Sequence, residues 1–149
     1  MMLRTRLIQC LVAASSVLIT ACSEKVLVPV EIEPSDMCAF CKMAISEKRY
    51  AAEFIDKQGE AYKFDDFGCL RNYAHSKQMN QSDAAWFAID FQTKQWLNAE
   101  HASIVQSTQF KTPMNGRMVA LGERTRAEQL ASQTEGIVMT FAEVFGMAP

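Results

Sequence analysis

Four sulfur-bearing side chains stand close together between residues 37 and 43, where the chain reads Met-Cys-Ala-Phe-Cys-Lys-Met. Thiolates and thioethers are soft ligands that suit Cu(I) and do not suit Mg²⁺ or Ca²⁺. Cys41 and Met43 are two residues apart, so in an extended segment both side chains point to the same face. The spacing therefore predicts that one short strand presents a thiolate and a thioether to a single metal ion.

A further sulfur, that of Met114, lies in a polar turn at residues 111–116. Packing alone seldom places a methionine among turn residues, although in a chain with nine methionines a chance placement explains it equally well. Met114 is thus a candidate third ligand beside Cys41 and Met43. Cys38 is a candidate additional ligand, and its position equally permits a redox switch or a disulfide with Cys41. The residues themselves leave these roles of Cys38 open.

The other chemically capable side chains favour structural roles. Asp65 and Asp66 precede a predicted helix and are interpreted as N-cap carboxylates rather than a catalytic pair, with a supporting polar role near a site left open. Cys69 lies inside that helix and is interpreted as a buried structural thiol. The aromatic residues expected in the core are Trp86, Phe87 and Trp96, and the two isolated histidines, which are not predicted to be ligands, are His75 and His101.

The N-terminus has the order of a secretory signal, with two arginines followed by an apolar run that is too short to span a membrane. Residues 18–22, Leu-Ile-Thr-Ala-Cys, closely resemble a bacterial lipobox. Residues 1–21 are therefore expected to be a removed signal peptide, and Cys22 to be the lipidated first residue of the mature protein. Residues 22–35 are expected to be a tether. Ser23 favours sorting to the outer membrane.

Loss of the leader changes the charge and the thiol count. The net charge moves from −2 to −4, because Arg4 and Arg6 leave and no acid does. A mildly acidic surface argues against nucleic-acid binding. Three thiols remain, Cys38, Cys41 and Cys69, and an odd number of thiols in an exported protein calls for an explanation. About 128 residues are left, which is enough for one compact domain with a core.

The pattern of apolar and turn residues predicts two similar halves. Strands are predicted at 49–55, 60–64 and 85–91, with a helix at 67–77. The same order recurs more weakly, with strands at 102–106, 118–121 and 136–140, a helix at 123–133 and a short closing helix at 141–145. These elements predict an α+β fold in which two related β-β-α-β halves, about 36–92 and 93–149, pack into one compact domain. Residues 26–32 are a candidate edge strand.

These residues together resemble the NosL family of copper-binding lipoproteins associated with nitrous oxide reductase. The resemblance is carried by Cys41-Lys42-Met43 after Asp36-Met37-Cys38, by Thr112-Pro113-Met114 and by the lipobox, and it covers roughly residues 35–145. It implies a periplasm-facing lipoprotein, not an enzyme, that carries Cu(I) toward assembly of the reductase's copper centres. Its partner would be a copper-accepting protein or transporter of that assembly system. The family's Cu(I)-binding cysteine and methionine match Cys41 and Met43, and its Pro-Met methionine matches Met114.

Lys42 departs from the family pattern, in which glycine commonly stands between the cysteine and the methionine. A lysine fits this position if its φ angle is negative. We expect its positive charge to lower the pKa of the Cys41 thiol and so to favour the metal-binding thiolate.

Two other classes of protein fit parts of the pattern. Cys38 and Cys41 have the spacing of a thiol–disulfide oxidoreductase motif, but no β-α-β layout precedes them and only the tether does. A structural zinc site would need a second pair of ligands, and the sequence has no second Cys-x-x-Cys or Cys/His pair. A Cu(I) carrier is favoured over both.

Overall fold

A computed structural model describes residues 26–146. The signal peptide, the lipidation site at Cys22 and the first part of the tether lie outside the described residues, so these remain predictions. Within residues 26–146 no helix is both long and apolar enough to cross a membrane.

The first half of the chain forms a four-stranded antiparallel sheet with one helix. Its elements are β1 (Ala52–Asp56), β2 (Ala61–Phe64), α1 (Phe67–Ser76), β3 (Ala84–Ile89) and β4 (Trp96–Asn98). The strand order is β2-β1-β3-β4, so β1 and β3 are central. The turn between β1 and β2 contains Gly59 at a φ of 94°, a conformation that glycine adopts without strain.

The second half repeats this arrangement with a smaller sheet. Its elements are β5 (Ser103–Gln106), β6 (Met118–Leu121), α2 (Arg124–Gln133), β7 (Ile137–Met139) and α3 (Phe141–Phe145). The order β6-β5-β7 places the first strand in the centre, as β2-β1-β3 does in the first half. In each half the helix connects the second strand to the third. The prediction of an α+β fold with two related β-β-α-β halves is confirmed.

Some local predictions are wrong. Residues 26–32 do not form an edge strand; Val30 donates its N–H to the buried carboxylate of Glu53 at 2.9 Å instead of to a strand. Strand β1 starts later than predicted because residues Lys48–Tyr50 form a single 3₁₀ turn. Strand β4 was not predicted, and its residue Trp96 packs at the side of the core, whereas Trp86 and Phe87 are buried as expected.

The halves share the main hydrophobic core, and a second, smaller cluster of buried residues lies against α2. Phe91 donates its N–H to the carbonyl of Ala120 at 2.9 Å, which joins the two sheets by a parallel bridge next to Asp90. Helix α3 belongs in sequence to the second half, yet Phe141 and Phe145 pack their rings 5.5 Å from the ring of Trp86 in the first sheet. The two halves therefore form a single packed unit, and their sulfur-bearing loops are held in a defined relation.

Candidate metal centre

The cysteine motif forms a tight turn rather than an extended strand. Met37 pairs with Ala44 in an antiparallel bridge, and inside it Cys38 donates its N–H to the carbonyl of Met43 at 2.8 Å. Lys42 donates its backbone N–H to the carbonyl of Cys38 at 3.0 Å. The expectation that Cys41 and Met43 share one face of a strand is therefore wrong, because the chain reverses between residues 38 and 43.

Lys42 occupies the left-handed region, with a φ of 63°, so the condition under which a lysine fits this position without strain, a negative φ, is not met. A left-handed residue at this point lets the turn close, and glycine adopts that conformation at lower cost than any residue with a Cβ. The Lys42 ammonium donates to the carbonyl of Ala39 at 2.7 Å. This hydrogen bond holds the Lys42 ammonium group against the backbone of the turn.

The turn brings Cys38 and Cys41 against the start of helix α1. Their sulfur atoms, the Cys69 sulfur and a carboxylate oxygen of Asp65 all lie within 4.8 Å of one another. Cys38, Asp65 and Cys69 are buried, and Cys41 is partly exposed. We call these four residues the buried thiol cluster. It gathers three soft donors and one carboxylate from three places in the sequence.

Hydrogen bonding and burial set the protonation of the cluster. A hydrogen bond from the Cys69 thiol lowers the pKa of Cys38, against the opposing effect of burial. The same bond, together with burial, raises the pKa of Cys69. Burial raises the pKa of Cys41, and the neighbouring Cys38 and Asp65 raise it further. The pKa of Cys41 is therefore raised, not lowered as expected, and Lys42 is not among the groups that set it.

Asp66 connects helix α1 to the loop that carries Met114. One carboxylate oxygen caps the helix by accepting the N–H of Cys69 at 2.8 Å. The other accepts the Thr112 hydroxyl at 2.7 Å and the N–H groups of Met114 and Gly116, each at 3.1 Å. The interpretation of Asp66 as a cap is confirmed, and the same side chain also holds the Met114 loop beside the cysteines.

Close backbone contact completes this junction. A Cβ atom on Gly68 would lie 2.7 Å from the Cα of Gly116, so both positions require glycine. A cleft of about 450 Å³ opens beside the contact and is lined by Phe40, Cys69 and Met114 among others. The sulfur of the second half and a thiol of the first therefore border the same cleft.

The methionines of the motif are exposed. Met43 has 56% of its surface exposed and Met114 has 41%, so neither is a packing residue of the core. Met37 is 55% exposed on the same turn. The partly exposed Cys41 thus lies within 4.8 Å of two buried thiols, and the methionines on its own turn are exposed. A joint role of Cys41, Met43 and Met114 as ligands stays a prediction.

Comparison with known proteins identifies the family. A family model named NosL matches residues 29–147, which is most of the chain. The chain belongs to the NosL family. The crystal structure of the copper chaperone NosL from Shewanella denitrificans has the same fold, with a TM-score of 0.72 and 17% sequence identity over 80% of this chain and 96% of that one. No curated protein matches the chain in sequence.

Two sequence interpretations need revision. Cys69 is buried as predicted, but it lies in the thiol cluster and not in an isolated packing position. Asp65, interpreted as part of a cap, contributes its Oδ2 to the same cluster by accepting the Cys41 thiol at 3.6 Å. Both residues stand in the consecutive Asp-Asp-Phe-Gly-Cys at residues 65–69, but nothing in the spacing connected this segment to Cys41.

The other candidate residues of this NosL-family chain lie elsewhere. His75 is exposed within α1, and His101 is exposed in the 3₁₀ turn Ala99–His101. Neither belongs to the thiol cluster. Cys38 and Cys41 sit in a turn and not in the first turn of a helix, where an oxidoreductase motif gains its reactive thiolate.

Proposed function

We propose that this chain is a periplasm-facing, lipid-anchored carrier that binds Cu(I) and delivers it for assembly of the copper centres of nitrous oxide reductase. The observation that carries the proposal is the position of Cys41, which is half-buried within 4.8 Å of two buried thiols and lies two residues before the exposed side chain of Met43. Soft donors at a surface suit a soft ion that must leave again. The relative from Shewanella denitrificans, described as a copper chaperone, supports the same role.

In this proposal Cys41, Met43 and Met114 are the ligands from which copper is handed over. One thiolate and two neutral thioethers carry a single negative charge, so they hold Cu(I) less strongly than two thiolates would. Exposed methionines can also exchange with the ligands of a partner one at a time. The receiver is a copper-accepting protein or transporter of the reductase assembly system, and the process involves no turnover of a substrate.

The lipid on Cys22 would keep the carrier at the membrane, with the outer membrane favoured by Ser23. An acyl anchor supplies membrane affinity without a spanning helix. The structure describes the tether only from residue 26 onward, and the tether is packed against the domain by Ile32, which is 1% exposed.

An anaerobic titration tests the ligand assignment. The reduced mature chain competes with a colorimetric Cu(I) chelator, and the affinity of Cys41→Ser is compared with that of the wild type. We expect Cys41→Ser to lower the affinity by at least about tenfold, because it removes the anionic ligand. Met37→Leu is the matched control, since Met37 is equally exposed on the same turn and lies outside the proposed set.

The rate at which Cu(I) passes from the chain to the same chelator measures handover. We expect Met114→Leu to slow the transfer of Cu(I) to the chelator or to an acceptor protein, because one exchangeable ligand is gone. Equal affinity of Cys41→Ser and wild type under reducing conditions would show that the site is assigned wrongly.

A further inference from the structure

The buried thiol cluster has more donors than the proposed handover site uses. Cys38 and Cys69 are 0% and 2% exposed, and their sulfurs lie within 4.8 Å of the Cys41 sulfur. The structure describes all three as free thiols. A set of three sulfurs at this separation can contract onto one soft ion, whereas packing alone would not require three thiols from separate segments to meet.

Asp65 gives a second and independent indication of a bound cation. Its side chain is 2% exposed, and its Oδ1 atom has no hydrogen-bond partner among the described residues. Its Oδ2 atom faces the Cys41 thiol at 3.6 Å. A buried carboxylate oxygen without a partner is costly, and a cation beside it removes much of that cost.

We propose that Cys38, Cys41 and Cys69 form a second, buried Cu(I) site beside Asp65, and that Cys41 is common to this site and to the exposed set of Cys41, Met43 and Met114. The inference rests on the proposed function. Each thiol that binds the ion releases its proton to solvent, and the oxidation state of copper does not change. Three thiolates select a soft ion such as Cu(I), and burial keeps the ion from water and from competing ligands.

The shared cysteine means that one copper ion occupies one site at a time. In the buried site Cu(I) is retained by thiolates, and in the exposed set it is accessible to a partner. Movement between the sites exchanges Cys38 and Cys69 for Met43 and Met114, the two released thiolates take up protons from solvent, and the bond to Cys41 stays. Without a partner the ion would stay in the buried site. The partner's own ligands would bind the ion in the exposed set and so shift it out of the buried site.

The decisive variant removes the exposed thioethers and leaves the buried thiols. Met43→Leu/Met114→Leu changes two exposed side chains and does not touch the core. Loaded anaerobically with one equivalent of Cu(I), this variant should still bind the ion, and X-ray absorption should find three sulfur neighbours. Adding Cys69→Ser to it should lower the affinity by about tenfold or more and reduce the sulfur count.

Loss of Cu(I) binding in the double methionine variant, or a single sulfur neighbour in its spectrum, would overturn the buried site. So would a wild-type affinity and sulfur count in Cys69→Ser alone, once circular dichroism has verified its fold. Preference of the cluster for Zn(II) over Cu(I) would overturn the choice of ion.

The two proposals fail in different ways. If Cys69→Ser weakens binding while Met43→Leu/Met114→Leu affects neither affinity nor transfer, the buried site stands and the exposed ligand set is wrong. If Cys41→Ser weakens binding and Cys69→Ser does not, the exposed set stands and the buried site is wrong.

Discussion

At the scale of single residues, Glu53 is the clearest conflict between charge and burial. Its side chain is 0% exposed in strand β1, and among residues 26–146 only one of its carboxylate oxygens has a partner, the N–H of Val30. Burial raises the pKa of Glu53 from 4.5 to about 7, against the opposing hydrogen bond from Val30 and the charge of Lys63. The fold therefore favours the neutral carboxylic acid.

This pKa makes stability fall as the pH rises. Between pH 4.5 and about 7 the unfolded chain loses the Glu53 proton while the folded chain keeps it, so the free energy of unfolding decreases across that window. The loss is roughly 3 kcal/mol and levels off once the pH has risen past the folded-state pKa. We expect Glu53→Gln to flatten this slope, measured as urea unfolding from pH 4.5 to 8. Exposed Glu135→Gln is the control; an unchanged slope in Glu53→Gln would contradict the assignment.

At the scale of elements, the contact between Gly68 in α1 and Gly116 in the Met114 loop sets the geometry of the centre. Gly68→Ala would place a Cβ 2.7 Å from the Gly116 Cα, a backbone atom that cannot rotate away. We expect this variant to lower the free energy of unfolding by about 1–3 kcal/mol and to displace the loop. Urea unfolding measures the first effect, and slower Cu(I) transfer to a chelator measures the second.

A matched glycine supplies the control for that experiment. A Cβ on Gly122 would meet no atom closer than 3.6 Å, so Gly122→Ala should be tolerated. If Gly68→Ala and Gly122→Ala unfold alike and transfer copper alike, the close contact does not position the Met114 loop.

At the scale of the whole molecule, helix α3 of the second half packs against the sheet and helix of the first half. The rings of Phe141 and Phe145 stack 4.2 Å apart, and Phe145 lies 5.7 Å from Phe67, the first residue of α1. The helix that begins at Phe67 also carries Cys69. Packing of the C-terminal helix therefore supports the element on which the thiol cluster depends.

Truncation of this contact should affect both halves together. We expect Phe145→Ala to lower the free energy of unfolding by about 3–5 kcal/mol, since it leaves a cavity against Trp86 and Phe67. Tryptophan fluorescence and far-ultraviolet circular dichroism should report one coincident transition. Ile137→Ala, at a position 59% exposed, should change stability by less than about 0.5 kcal/mol. Two separate transitions would argue against a shared core.

The sequence by itself determined the elements and the kind of chemistry. Alternating apolar residues predicted both β-β-α-β halves, because side-chain periodicity is a local property of strands and helices. The sulfur-rich stretch at 37–43 predicted a soft metal ion, because ligand softness depends on atom type alone. The cap role of Asp66 was also predictable, since it follows from the residue type before a helix.

Only the tertiary structure decided which donors meet. Lys42 takes a left-handed conformation that its residue type does not favour, so the motif turns instead of extending. Cys69 and Asp65 reach Cys38 and Cys41 because α1 packs against that turn, a contact between segments far apart in sequence. Periodicity and spacing describe neighbours along the chain, whereas the centre is made by neighbours in space.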